Sequence, residues 1–128
     1  MRLLAASVVV ALLALTPPFA PWAWSAEGDI GRGEEIYHRC LACHALKANR
    51  VGPMHCGLFG RKAGTAPNYQ YSGAMKKYGV TWTEETLDHF IQNPMQVVPG
   101  TKMGYAGIKD AQERADLIAY LKKATTCD

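Results

Sequence analysis

Apolar residues recur at helical spacing in three stretches of the chain, and one short unbroken apolar run precedes them all. The clearest stretch lies near the C-terminus. There Asp110, with Glu113 three residues later, opens a helix in which Leu117, Ile118, Leu121 and Ala124 repeat at the helical period. Lys122 and Lys123 suit the negative end of its dipole. A second helix is expected to begin near Thr81 or Thr83. Thr81 and Glu84 are spaced as a capping box, Glu84 and Glu85 occupy the first turn, and Leu87, Phe90 and Ile91 form the apolar stripe. Pro94 ends it after Asn93. The first helix is expected over 29–41, with Asp29 as N-cap, Glu34 and Glu35 in the early turns, and Gly33, Tyr37 and Cys40 on one face. Glycine lowers helix stability, so Gly33 predicts a close crossing against another backbone.

The unbroken apolar run spans Leu3 to Leu15, follows Met1 and Arg2, and gives way to prolines and then small residues ending at Ala26. That order reads as a secretory signal over 1–26, cleaved after Ser25 or Ala26. The run is short of the roughly 20 apolar residues of a membrane-spanning helix. Phe19, Trp22 and Trp24 extend its apolar character, so an uncleaved anchor remains the alternative. Residues 27–128 are then one domain with one modest core. With Arg2 removed, thirteen basic side chains face eleven acidic ones, a formal +2. Nucleic-acid binding needs a clustered basic patch, and these lysines are dispersed. Between the first two helices, residues 47–80 carry glycines and prolines at Gly52, Pro53, Gly57, Gly60, Gly64, Pro67, Gly73 and Gly79. So long a loop argues against a compact domain unless something other than a sheet fills its centre.

Cys40-Leu41-Ala42-Cys43-His44 supplies that something. C-x-x-C-H is the spacing at which two thiols and one imidazole hold a single haem: the thiols become thioethers and the adjacent histidine binds the iron. The same residues have rival readings as a thiol redox couple or half of a zinc site. Zinc wants four converging ligands, and His44, directly beside Cys43, is poorly placed to share a metal with both cysteines. The expected class is therefore all-α, with three main helices and long loops wrapped around a covalent haem. The other two cysteines, Cys56 and Cys127, either pair in an oxidising compartment or are unrelated thiols.

An iron bound by one histidine needs a second protein ligand or an open position, and this choice separates a carrier from an enzyme. The candidates are Met54, Met75, Met95, Met103, His38, His55 and His89. Met75 and Met95 read as core filler, and His38 and His89 as solvated helix residues. His55 is the strongest competitor to Met103. Met103 sits in Pro99-Gly100-Thr101-Lys102-Met103-Gly104-Tyr105-Ala106-Gly107, a tight irregular loop that can press a thioether toward a haem face.

The stretch PGTKMGYAGIKDAQERADLIAYLKKAT, with GLFGRKAGTAP and TWTEETL before it, resembles class I cytochrome c, the group of mitochondrial cytochrome c and its periplasmic bacterial relatives. The resemblance covers residues 28–126. It implies the cytochrome c fold, with first and last helices crossing near Gly33 and Tyr37. It also implies that the Pro53 carbonyl supports His44, that Met103 completes the coordination, and that Arg61, Tyr71 and Trp82 surround a haem propionate. Two positions depart from the family pattern: Phe90 where tyrosine is frequent and Met75 where asparagine is. Cys56 and Cys127 have no counterpart in the usual pattern.

The function this implies is a soluble, monomeric periplasmic electron carrier with one haem c and His/Met ligation. Its partners would be redox proteins with acidic docking surfaces, a cytochrome bc1-type donor and an oxidase or reaction-centre acceptor. Arg39, Lys47, Lys62, Lys76, Lys77, Lys102 and Lys109 would steer them to an exposed haem edge. A membrane-tethered carrier is one alternative. A small haem peroxidase is the other, requiring an open iron and a distal acid-base group such as His55. If the haem is the centre of the core, the haem-free chain is largely unfolded. Circular dichroism of the apoprotein is expected to show little helix, and native helix content there would contradict this.

Overall fold

A computed structural model describes residues 27–127, so the expected signal over 1–26 lies outside the described residues. The order is α1 Ile30–Tyr37, α2 Gly73–Tyr78, α3 Glu84–Gln92, α4 Pro94–Val97 and α5 Ala111–Ala124. The described residues form no strand beyond one isolated bridge between Lys62 and Thr81.

Helices α1 and α5 cross at the heart of the fold. At Gly33 an added Cβ would meet the Asp116 carbonyl carbon at 2.7 Å and Tyr120 Cβ at 2.7 Å, so only glycine admits this approach. The crossing is also tied by charge. Buried Asp116 accepts the Asp29 N–H at 2.7 Å and Gln112 Nε2 at 2.9 Å, and pairs with Arg32 Nε at 3.1 Å. Burial alone would raise the Asp116 carboxyl, yet these donors hold it below its ordinary value. Ile36, Tyr37, Leu117, Ile118 and Leu121 fill the contact, each aliphatic one contributing roughly 1.5–3 kcal/mol.

The caps explain where the helices start. Asp29 accepts the Arg32 N–H, and Asp110 accepts the Glu113 N–H, both at 2.8 Å. Three details differ from the sequence reading. The regular part of α1 ends at Tyr37, and 38–40 continue through tighter i→i−3 bonds, Cys40 N–H to the Tyr37 carbonyl among them. The first turn of α1 contains no acid, because Glu34 and Glu35 lie beyond it. The capping box of α3 is formed by Thr83 and Thr86; Thr81 lends its carbonyl to the Thr86 hydroxyl instead, so the helix starts later than a Thr81 box requires.

The loop over 47–80 is not wholly irregular. Ser72 caps the short α2, and Gly79, at φ +55°, ends it. Pro94 both stops α3 and opens α4, since a residue at the first helical position needs no N–H donor. Met75 is buried core as expected, whereas Met95 is 50% exposed. In the single turn of α4 it is Pro94 that faces inward, which leaves the neighbouring Met95 outside.

Arg114 anchors the segment leading out of the Met103 loop. Its Nε donates to Asp88 of α3 at 2.7 Å, and its Nη1 to the carbonyls of Ile108 and Lys109 at 3.1 and 2.9 Å. Cys56 and Cys127 form a disulfide with Cα atoms 5.4 Å apart, joining the end of α5 to the loop after the haem motif. The Gly57 N–H donates to the Thr125 carbonyl at 2.8 Å beside it. The bridge spans 71 positions, a loop whose closure is worth about 4 kcal/mol. Replacing both cysteines by serine is expected to lower holoprotein stability by about that amount in guanidinium titration; an unchanged midpoint would contradict it.

Candidate haem site

The motif turn is held by its own backbone, with the Cys43 and His44 N–H groups donating to the Cys40 carbonyl at 3.1 and 2.8 Å. This places Cys40, Cys43 and His44 on the wall of one cavity of about 350 Å³. Met103, Arg61, Tyr71 and Trp82 line the same cavity, so all seven expected site residues converge, although they span 64 positions of sequence. Leu58, Met75, Leu87, Phe90, Ile91 and Leu117 supply much of its apolar wall. The wall is therefore built for an apolar occupant.

His44 is 7% exposed, and its Nδ1 bonds to the Pro53 carbonyl at 2.8 Å. A carbonyl only accepts, so Nδ1 carries the proton and Nε2 keeps a free lone pair. Burial lowers the His44 pKa, with the Pro53 carbonyl acting in the opposite sense. Gly52 passes directly beneath the ring: a Cβ there would meet Nδ1 and Nε2 at 2.6 Å. The Cys40 thiol is pushed up to about 11 by burial, partly countered by Arg39, which keeps it protonated at neutral pH.

On the other wall, the Met103 N–H donates to Thr101 Oγ1 at 3.2 Å. Pro99, Gly100 and this hydroxyl shape the turn, with Gly100 at φ +89°. Arg61 donates from Nη1 to the Cys56 carbonyl at 2.7 Å and from Nη2 to the Met54 carbonyl at 3.1 Å. Its Nε is buried without a partner, an arrangement suited to an anionic oxygen in the cavity that Arg61 lines. The Tyr71 hydroxyl accepts the Ala66 N–H at 3.2 Å.

The cytochrome c family model matches residues 30–125. The chain belongs to the cytochrome c family. It is 44% identical to cytochrome c2 of Blastochloris viridis over 119 residues, covering 91% of each chain. It is 48% identical to cytochrome c of Sesamum indicum over 102 residues, 77% of this chain and 92% of that one. The solved structure of cytochrome cH from Methylobacterium extorquens matches with a TM-score of 0.73 and 44% identity, over 75% of this chain and 99% of that one. As a cytochrome c, the protein carries one covalently attached c-type haem and works in electron transport. The donor set fits that group: two thiols, an imidazole with a free Nε2, a thioether, an unpartnered guanidinium N–H and an apolar wall.

The remaining candidates sort by position. His38 and His89 are exposed, as expected. His55 stacks on His44 itself, ring centroids 4.3 Å apart and planes 22° from parallel, so it stands behind the imidazole and cannot be a distal ligand or acid-base group. Its Nδ1 shares a hydrogen bond with the Tyr37 hydroxyl at 3.0 Å. Burial, aided by His44 and Arg61, pulls the His55 pKa down to about 3 and keeps the ring neutral. Sequence reasoning missed Gly52, Thr101 and the Tyr37–His55 pair as parts of this site. Thr101 carried a faint signal as a hydroxyl two residues before Met103.

Gly52→Ala is expected to push the His44 ring off the Pro53 carbonyl and lower holoprotein stability by about 1–3 kcal/mol. Guanidinium unfolding checks this, and a variant as stable as the parent would contradict the close packing.

Proposed function

We propose that the protein is an exported periplasmic one-electron carrier, soluble and monomeric. Its haem would be held through Cys40 and Cys43, with His44 Nε2 and Met103 Sδ binding the iron. The observation that carries this reading is the convergence of all four side chains on one apolar cavity with His44 Nδ1 committed elsewhere. Cys40 and Cys43 would supply the two sulfurs of its thioether links. The bound haem supplies an iron that alternates between ferric and ferrous, one electron at a time.

The side chains set how that electron moves. The thioether of Met103 favours the ferrous state over a second nitrogen ligand. If His44 and Met103 both bind the iron, they would leave it no open position for oxygen or peroxide. Phe90 and Met75 line the same space without a hydroxyl or an amide, and Thr101 Oγ1 accepts the Met103 backbone N–H. Arg61, Tyr71 and Trp82 are placed to receive a propionate, where a buried carboxylate needs donors to stay ionised.

Two observations favour export. The Cys56–Cys127 disulfide suits an oxidising compartment, and the first 26 residues have the order of a secretory signal. Among the described residues no helix is long and apolar enough to cross a membrane. A cytochrome bc1-type donor and an oxidase or reaction-centre acceptor are the proposed partners, drawn in by exposed Lys47, Lys62, Lys76, Lys77, Lys102 and Lys109. Arg39 is a weaker contributor than the sequence suggested, because its guanidinium meets Glu113 through two 2.9 Å bonds.

The ferric holoprotein is expected to show the weak band near the red end of the visible spectrum that marks methionine-to-iron bonding. Met103→Ala is expected to abolish it while leaving the haem on the peptide bearing residues 40–44. A high-spin parent spectrum, or a band that survives in Met103→Ala, would overturn the ligation. Reaction with an acidic redox partner is expected to slow steeply as salt rises, and a salt-independent rate would remove the steering role.

A further inference from the structure

Tyr120, Tyr37, His55 and His44 form a continuous column of rings. Tyr120 and Tyr37 lie 5.3 Å apart at the α1–α5 crossing, Tyr37 and His55 lie 5.6 Å apart, and His55 and His44 lie 4.3 Å apart. The column therefore begins at the contact that organises the helices and ends on the imidazole of the haem motif. Tyr37 is 2% exposed and Pro53, which bonds His44, is two residues before His55, so little in the column is free to move. The backbone fixes His55 as well: its N–H donates to the Ala45 carbonyl at 3.1 Å, and its carbonyl accepts the Leu58 N–H at 3.0 Å.

A ligating imidazole held at Cβ and by one Nδ1 bond can still pivot about the line joining those points. Gly52 closes one side of that pivot, and the nearly parallel His55 ring bears on the imidazole face. His55 in turn is prevented from rotating by its bond to the Tyr37 hydroxyl. An aliphatic side chain would fill the same volume without presenting a flat, oriented face. A buried hydroxyl and imidazole that satisfy each other add little net stability over an apolar pair of the same shape, so the pair is better explained by orientation than by energy.

We propose that His55, oriented by the Tyr37 hydroxyl, is a positioning residue that fixes the plane of the His44 imidazole relative to the haem. The inference rests on His44 being an axial ligand. In a low-spin ferric haem the direction of the ligand plane decides how unpaired spin is shared among the four pyrrole rings, and the haem-methyl proton shifts report it. Orientation of a ligand by its neighbours is a general means of tuning a metal.

The test uses ferric holoprotein and four variants: His55→Leu, His55→Phe, Tyr37→Phe and the Tyr37→Phe/His55→Leu pair. His55→Leu is expected to change the order or spread of the haem-methyl shifts and to shift the reduction potential. His55→Phe, which keeps a flat ring against His44 but loses the bond to the Tyr37 hydroxyl, is expected to move the pattern less than His55→Leu does, as Tyr37→Phe does. Tyr37→Phe is expected to move the pattern in the direction of His55→Leu by a smaller amount, and it serves as the reading if His55→Leu fails to mature. The double variant is expected to unfold close to the parent midpoint while keeping the altered shifts, which separates orientation from stability. Parent-like shifts in both His55→Leu and Tyr37→Phe would overturn the proposal, as would His55→Phe shifts displaced as far as those of His55→Leu. A parent holoprotein that is not low-spin would instead overturn the ligation on which it rests.

Discussion

The structure depends on one constraint: the apolar side chains of a short, sheet-free chain must be buried on something, and the haem site is what they surround. Leu58, Leu87, Phe90, Ile91 and Leu117 come from different parts of the fold and meet at the same cavity wall. A domain of about a hundred residues has little core to spare, and the cavity takes up the middle of it. This is why long segments without regular structure are tolerated here. They need to present apolar faces inward, and their backbone groups find partners in turns, in caps and in side chains such as Arg61, Asn49 and Tyr69.

The site and the scaffold are consequently one system. The α1–α5 crossing, made possible by Gly33 and tied by Asp116, sets where the motif turn emerges. The disulfide closes the other end of α5 onto Cys56, whose carbonyl receives Arg61. The position of Arg61 therefore depends on how the segment after α5 is fastened. Arg114 does the corresponding work at the far end of the Met103 loop by holding Ile108 and Lys109 to α3. Local charges are used for fastening at least as much as for display, as the pairing of Arg39 with Glu113 illustrates.

Several polar groups of the cavity wall have identified partners. His44 Nδ1 is spent on Pro53, the Met103 N–H on Thr101, and Tyr37 and His55 satisfy each other. Among the described residues, Arg61 Nε alone is buried without a partner. Phe90 and Met75 add apolar surface to the same cavity.

Sequence alone determined the cofactor chemistry and the three principal helices, because those signals are short-range. The C-x-x-C-H spacing acts within five residues, and caps and apolar stripes act within a few turns. The resemblance to class I cytochrome c named Arg61, Tyr71, Trp82 and Met103 as haem-site residues, and these line one cavity with the motif. Tertiary structure decided everything that depends on the path of the loops. It closed Cys56 on Cys127, moved His55 from candidate distal ligand to the ring stacked on His44, turned Met95 outward, and paired Arg39 with Glu113. No local pattern encodes which side of a cavity a loop residue reaches. That is settled only when distant segments pack against one another and leave each side chain a single place to go.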